Sequence, residues 1–372
     1  MNICALCDVV ITHDNDTKEH IIPNSIGGRK KVKGFICNTC NRITGQDWDV
    51  ELNNQLNYFN LLFMIKRERG TPASERIKTI SGKEYLVHHS GVMSPSKPTL
   101  EIKNQDKNHQ IRITARNIEE AKKILGGLKR KYKSIDEKSI LKNWETKNEY
   151  LKEPLSFKVN FGGPKAGRSL IKTALSLAYD AGIASSFCDK AVQYLRYKSA
   201  EPCFGYFYTK DLITNRPPRT PLHCVHVYSS QSTGLLLAYI EYFGIQRIIA
   251  CLSEQYCGIE ISKTYAINPV TGIELNLHVD LKAITINDIK KAYNYESYST
   301  QKVIEAFDQV MPLAIDISYE REKNRVISEA VQKAFEKPGV LEGENLSAEH
   351  LQQIVNSIVE DIWPFMQHHI IK

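Results

Sequence analysis

The chain has 372 residues, more than one small domain needs, and its 42% hydrophobic and 24% charged content are those of a globular protein with a proper core. With no internal repeat and no low-complexity tract, that composition excludes a largely disordered chain. The formal charge of +7 is uneven: residues 1–150 hold 26 Lys and Arg against 18 Asp and Glu, a balance of +8, whereas residues 151–372 hold 23 against 24, a balance of −1.

Residues 1–50 are rich in Cys, Asn and Gly and have little room for an independent core, so a bound ion would supply the missing stability. Four of the nine cysteines form two Cys-x-x-Cys pairs, Cys4/Cys7 and Cys37/Cys40. The other five, Cys188, Cys203, Cys224, Cys251 and Cys257, lie in apolar surroundings and read as small buried hydrophobes. An odd count with no secretory signal before Cys4 points to a reducing cytoplasm, where paired cysteines bind metal more often than they form disulfides.

From Asp47 to about Arg69, Trp48, Leu52, Leu56, Phe59, Leu62 and Phe63 recur at helical spacing until Gly70-Thr71-Pro72 breaks the pattern. This helix is expected to pack against the cysteine unit. Short strands follow over 79–116, with alternation at Ile111-Arg112-Ile113-Thr114. Asn117 is placed to cap a helix running to Tyr132, one face of which carries Lys122, Lys123, Lys129, Arg130 and Lys131. That face reads either as a solvated surface or as a phosphate contact.

Residues 134–160 are polar and hold a candidate boundary. Beyond them, Arg168 to Ala184 has helical spacing, and the preceding Gly162-Gly163-Pro164 lacks the Gly-Lys-Ser/Thr ending of a phosphate-cradling loop. Residues 203–282, aromatic and β-branched with frequent turns, predict an antiparallel sheet, and helical patterns run from Val303 to His368. The most apolar run, Gly234 to Ser253, is interrupted by Glu241, Gln246 and Arg247, so it reads as strands of a core and not as a membrane span. The expected class is α+β, divided into 1–70, a basic extension over 71–150, and a companion domain over 151–372 with a targeting or regulatory role.

Two Cys-x-x-Cys knuckles separated by a gap are a strong signal for tetrahedral Zn²⁺ held by Cys4, Cys7, Cys37 and Cys40, a structural site with no open position. Between and after the knuckles stand Glu19-His20-Ile21-Ile22-Pro23, then Ser25-Ile26-Gly27-Gly28, and Asn41 directly after the fourth cysteine. Taken alone, Glu19-His20 would be a surface pair and Asn41 a helix cap. In order and inside the cysteine frame, "CALC", "EHIIPNSIGG" and "ICNTCNRITG" resemble the HNH endonuclease family over about 45 residues.

The resemblance implies a hairpin and helix around one divalent ion, Mg²⁺ or Mn²⁺, held by Glu19 and Asn41, with His20 as the general base. It implies DNA as partner, RNA not being distinguished by these residues, and by analogy a place in defence against foreign DNA with partner proteins of such a system. The residue types suit that chemistry. An imidazole with pKa near 6.5 takes a proton from water at neutral pH, and carboxylate and amide oxygens are hard ligands. Arg29, Lys30, Lys31, Lys33 and Arg42 are candidate phosphate contacts beside the centre, together with Lys129, Arg130 and Lys131.

Two departures stand out: Glu replaces the commoner Asp at 19, and Lys33-Gly34-Phe35 has no counterpart of the family's middle asparagine. Adjacent Glu19 and His20 would point to opposite faces of a strand, so serving one ion together requires an irregular backbone. The remaining histidines, among them His13, His88, His89, His223, His226 and His278, form no spaced ligand set. Two rival readings are a non-catalytic zinc module and a nuclease switched on by a small ligand in the C-terminal region.

Overall fold

The computed structural model describes residues 2–105, 108–133, 135–142, 144, 149–156, 158–336 and 345–369. It is a mixed α+β protein with antiparallel sheets and C-terminal helices, as the patterning predicts. Its contacts divide it into two compact units. One comprises residues 1–75, 89–91 and 158–314; the other comprises 76–88, 92–157 and 315–372.

The first unit is built on a five-stranded antiparallel sheet. Its strand order is Phe204–Tyr206, Gln246–Ser253, Leu235–Tyr242, His223–Ser230, Ser262–Ile267. The three middle strands are buried along almost their whole length, which explains why Gly234 to Ser253 reads as a continuous apolar run. The interrupting charges are paired inside: Glu241, fully buried, accepts from Arg216 at 2.9 Å and from Arg247 at 3.1 Å. Pairing is the condition on which a buried charge is tolerated.

The helix Pro164–Asp180 packs against this sheet and against the N-terminal segment. Pro164 opens it, where the missing N–H costs nothing, and Ala166 to Ala178 are all buried. Each of Leu170, Ile171, Leu175 and Leu177, at 0% exposure, contributes about 1.5–3 kcal/mol of burial free energy. A helix enclosed on all sides must also satisfy its polar side chains internally.

The Asp47–Arg69 pattern becomes a π-helical turn, Gly45–Asp49, followed by the helix Val50–Leu62. Its buried face (Leu52, Leu56, Phe59) meets the Asn24–Ile26 turn. Phe59 and Phe63 meet Phe243, in the turn after the strand Leu235–Tyr242, with ring centroids at 5.3 and 5.8 Å. So this segment meets a turn of the companion sheet as well as the N-terminal turn.

In the second unit one sheet has the order Leu155–Ser156, Glu75–Thr79, Glu84–Val87, Met93–Pro95, and Thr99–Gln105 pairs with Asn108–Thr114 in another. The helix Ile118–Lys131 starts as expected, the Asn117 side chain accepting from Glu120 N at 2.8 Å. Two long helices, Thr300–Glu336 and Ala348–His369, follow towards the C-terminus. No helix among the described residues is long and apolar enough to cross a membrane.

Candidate functional site

The two knuckles converge. The Sγ atoms of Cys4, Cys7, Cys37 and Cys40 lie within 4.8 Å of one another, and among the described residues no other group of three or more His, Cys, Asp or Glu gathers so closely. Asp8, at φ 59°, closes the first turn with its N–H on Cys4 O at 3.1 Å. The second knuckle leads into the helix Asn38–Thr44, capped by Cys37, whose N–H donates to Cys4 Sγ at 3.3 Å. Burial and the neighbouring sulfurs push the Cys40 thiol far up. Burial also acts upward on Cys4, but N–H groups of Cys37, Leu6 and Cys7 outweigh it and bring that thiol down. Four thiols this close lose their protons together only around a cation, and the donor set is that of tetrahedral Zn²⁺. The cluster therefore fits zinc.

Arg196 braces the first knuckle from the companion part of the chain. Its guanidinium donates to Ala5 O at 2.9 Å and to Asp8 Oδ1 at 2.6 Å.

Glu19–His20 and Lys31–Val32 form a two-stranded antiparallel hairpin with Glu19 opposite Val32 and His20 opposite Lys31. The return between them depends on two glycines. Gly27 has φ +96°, and a Cβ on Gly28 would stand 1.8 Å from Ile22 O. The ladder runs through both residues in register, so the expected backbone irregularity is absent and the two side chains part to opposite faces.

His20 is partly buried. Its buried Nε2 stands 3.5 Å from Glu68 Oε2, within ion-pair range, and makes no hydrogen bond. Burial, then the ammonium of Lys31, holds the imidazole below its usual pKa, and the ring stays neutral at pH 7.

Glu19 faces the other way. Its Oε1 lies 2.6 Å from Lys172 Nζ, which also reaches Asp49 Oδ2 at 2.6 Å and Thr44 Oγ1 at 3.4 Å. Asp49 Oδ1 accepts from Ser169 Oγ at 2.6 Å. Glu19 is 5% exposed and Lys172 1%. Burial pushes the Glu19 carboxyl up, while Lys172, which burial alone would lower, is held above the usual lysine value by Asp49 and Glu19.

Asn41 lies inside its helix and does not cap it; its Nδ2 donates to Thr17 Oγ1 at 2.7 Å. The structure thus does not bring Glu19 and Asn41 together as an open ligand pair. Glu19 Oε1 is occupied by the Lys172 ammonium, whereas Asn41 is engaged through its amide nitrogen and not through the oxygen that would ligate a cation.

The basic residues divide. Lys30 Nζ is paired with Asp180 Oδ2 at 2.6 Å and Lys31 Nζ with Glu68 Oε2 at 2.6 Å. Arg29, Lys33 and Arg42 are exposed and make no ion pair among the described residues. Lys129 and Arg130 are exposed on the second unit's helix, whereas the side chain of Lys131 lies outside the described residues.

Lys172, Asp49, Glu68 and His223 were not singled out from the sequence as site residues. One signal existed for Lys172: a lysine in the middle of Leu170-Ile171-Lys172-Thr173-Ala174-Leu175 sits on a buried helix, where lysine is almost never found without a partner.

Comparison with known families agrees with this geometry. Residues 4–57 match the family model described as HNH endonuclease, a stretch that contains both knuckles, the hairpin and the two following helices up to Asn57. The N-terminal segment is thus of the HNH endonuclease class, which implies a nuclease acting on nucleic acid. Comparison with curated proteins and with solved structures found no match.

Proposed function

We propose that the protein is an endonuclease hydrolysing phosphodiester bonds of DNA, with His20 as its general base. One observation carries the reading: inside the matched segment, a neutral imidazole presents a buried Nε2 that has no hydrogen-bond partner. A ring nitrogen with a free lone pair removes a proton from an attacking water. Arg29, exposed before the strand Lys31–Val32, and Lys33, exposed after it, would meet phosphate oxygens and offset their charge. Mg²⁺ or Mn²⁺, which the family implies, would be required for cutting, although Glu19 Oε1 is already engaged by Lys172.

Residues 151–372 take a targeting or regulatory role in this proposal, in addition to completing the core around the N-terminal segment. Defence against foreign DNA is the setting that the resemblance suggests. The test is incubation of supercoiled plasmid with zinc-loaded protein in Mg²⁺ or Mn²⁺, with and without EDTA. Nicked circles from wild type and none from His20→Ala are expected. Intact plasmid under every divalent condition would refute the nuclease reading.

A further inference from the structure

We infer that the ammonium of Lys172 is the resident cation of the Glu19–Asp49 carboxylate pair, and that Glu19 serves through it to fix the His20 strand instead of ligating a divalent ion. The ammonium has three protons to donate. Glu19 Oε1 at 2.6 Å, Asp49 Oδ2 at 2.6 Å and Thr44 Oγ1 at 3.4 Å supply three oxygen acceptors, which matches its donor count. Asp49 has its second oxygen on Ser169, so neither oxygen of that carboxylate stands idle.

Burial makes the arrangement exclusive. A Mg²⁺ ion on Glu19 Oε1 would have to sit about 2.0–2.1 Å from the oxygen that the ammonium occupies and keep several waters. Around a carboxylate that is 5% exposed and a lysine that is 1% exposed, the ammonium already holds that position. Expelling it would leave a buried, unpaired lysine, and an uncompensated buried charge costs several kcal/mol.

The strand separates the two side chains at their roots: Glu19 and His20 are consecutive in the ladder, so their Cβ atoms leave it on opposite faces. Lys172 belongs to the helix Pro164–Asp180, well outside the matched residues 4–57, and reaches Glu19 on the strand, Thr44 on the knuckle helix and Asp49 in the turn after it. One buried ammonium therefore ties three elements of the nuclease segment to the companion helix. Lys172 is a positioning residue: it touches no reacting atom and acts through the strand that carries His20.

The kinetic arm of the test rests on the reading of His20 as the base, whereas the binding arm does not. In the binding arm, zinc-loaded full-length protein is titrated with Mn²⁺ by calorimetry, as wild type and as Glu19→Gln, which keeps an oxygen for Lys172. Dissociation constants agreeing within about threefold support the inference, because losing a true ligand costs well over tenfold. Loss of Mn²⁺ binding in Glu19→Gln overturns it. Wild type that binds no Mn²⁺ also leaves Glu19 without an ion and supports the inference, while the metal requirement of the nuclease reading would then fall.

In the kinetic arm, Lys172→Met is expected to lower kcat for plasmid nicking by roughly tenfold or more at unchanged KM, and Lys172→Arg, which keeps the charge, to recover most of it. A folded Lys172→Met with wild-type kcat would overturn the positioning role. If Lys172→Met does not fold, the Glu19→Gln titration decides the matter alone.

Discussion

His223 Nε2 donates to Ile26 O at 2.7 Å while its Nδ1 accepts from Phe243 N–H at 3.1 Å, so a fully buried imidazole on the central sheet holds the return loop of the nuclease hairpin. Both ring nitrogens are used, and the geometry requires the neutral tautomer with its proton on Nε2. A second proton on Nδ1 would point at the Phe243 N–H.

That arrangement makes acid stability a prediction. Burial pushes His223 down to about 4 and His226 also to about 4, against roughly 6.5 for an exposed histidine. Between those values the unfolded chain binds protons that the folded chain refuses, so stability falls as pH drops from about 6.5 towards 4. Urea midpoints measured from pH 7.5 to 4.5 should decline, and less steeply for His223→Gln. A flat wild-type profile would contradict the neutral, buried assignment.

Zinc retention should separate two variants. Cys37→Ser is expected to release zinc and unfold the N-terminal segment, since metal binding and folding are coupled in a Cys4 cluster. Asn41→Ala, which removes only the amide that donates to Thr17, should retain one zinc per chain. Elemental analysis of the purified proteins reads the first effect, and finding no zinc in wild type would contradict the cluster's assignment.

His20→Ala should keep the fold and duplex binding while nicking falls by roughly 10²-fold or more. Its Nε2 makes no hydrogen bond and meets Glu68 only at 3.5 Å, so truncation breaks no hydrogen bond of that nitrogen. Circular dichroism and gel-shift binding should therefore match wild type. Cleavage by the mutant at the wild-type rate would remove His20 from the role of base.

The two glycines at positions 28 and 45 should respond in opposite ways. Gly28→Ala places a Cβ 1.8 Å from a backbone oxygen, which only backbone movement relieves, and should cost about 3 kcal/mol or more. Gly45 is in right-handed helical geometry with nothing within 4 Å of a Cβ, so Gly45→Ala should stabilise by about 0.5–1 kcal/mol. Denaturant titrations of the two variants check the sign of each.

Salt dependence should sort the basic residues. Removing an exposed contact such as Lys33 or Arg42 should lower the slope of log binding constant against log salt by about one unit. Lys30→Ala should change that slope less and stability more, because its ammonium is occupied by Asp180. Equal slopes for all three variants and wild type would mean that DNA is held elsewhere.

The sequence by itself determined what depends on near neighbours. The Cys-x-x-Cys spacing, the Gly27-Gly28 return, the Asn117 cap and the alternation of strands are each decided within a few residues, and the structure carries all of them. Only tertiary structure decided what Glu19 does. Its partner is 153 positions away on a helix whose lysine reads, along the chain, as a misplaced charge in an apolar run. The same holds for His223, 197 positions from the carbonyl that it holds. Burial is the physical reason: a charge or imidazole removed from water must find its partner wherever packing brings one, and packing follows the sheet and helix, not sequence distance.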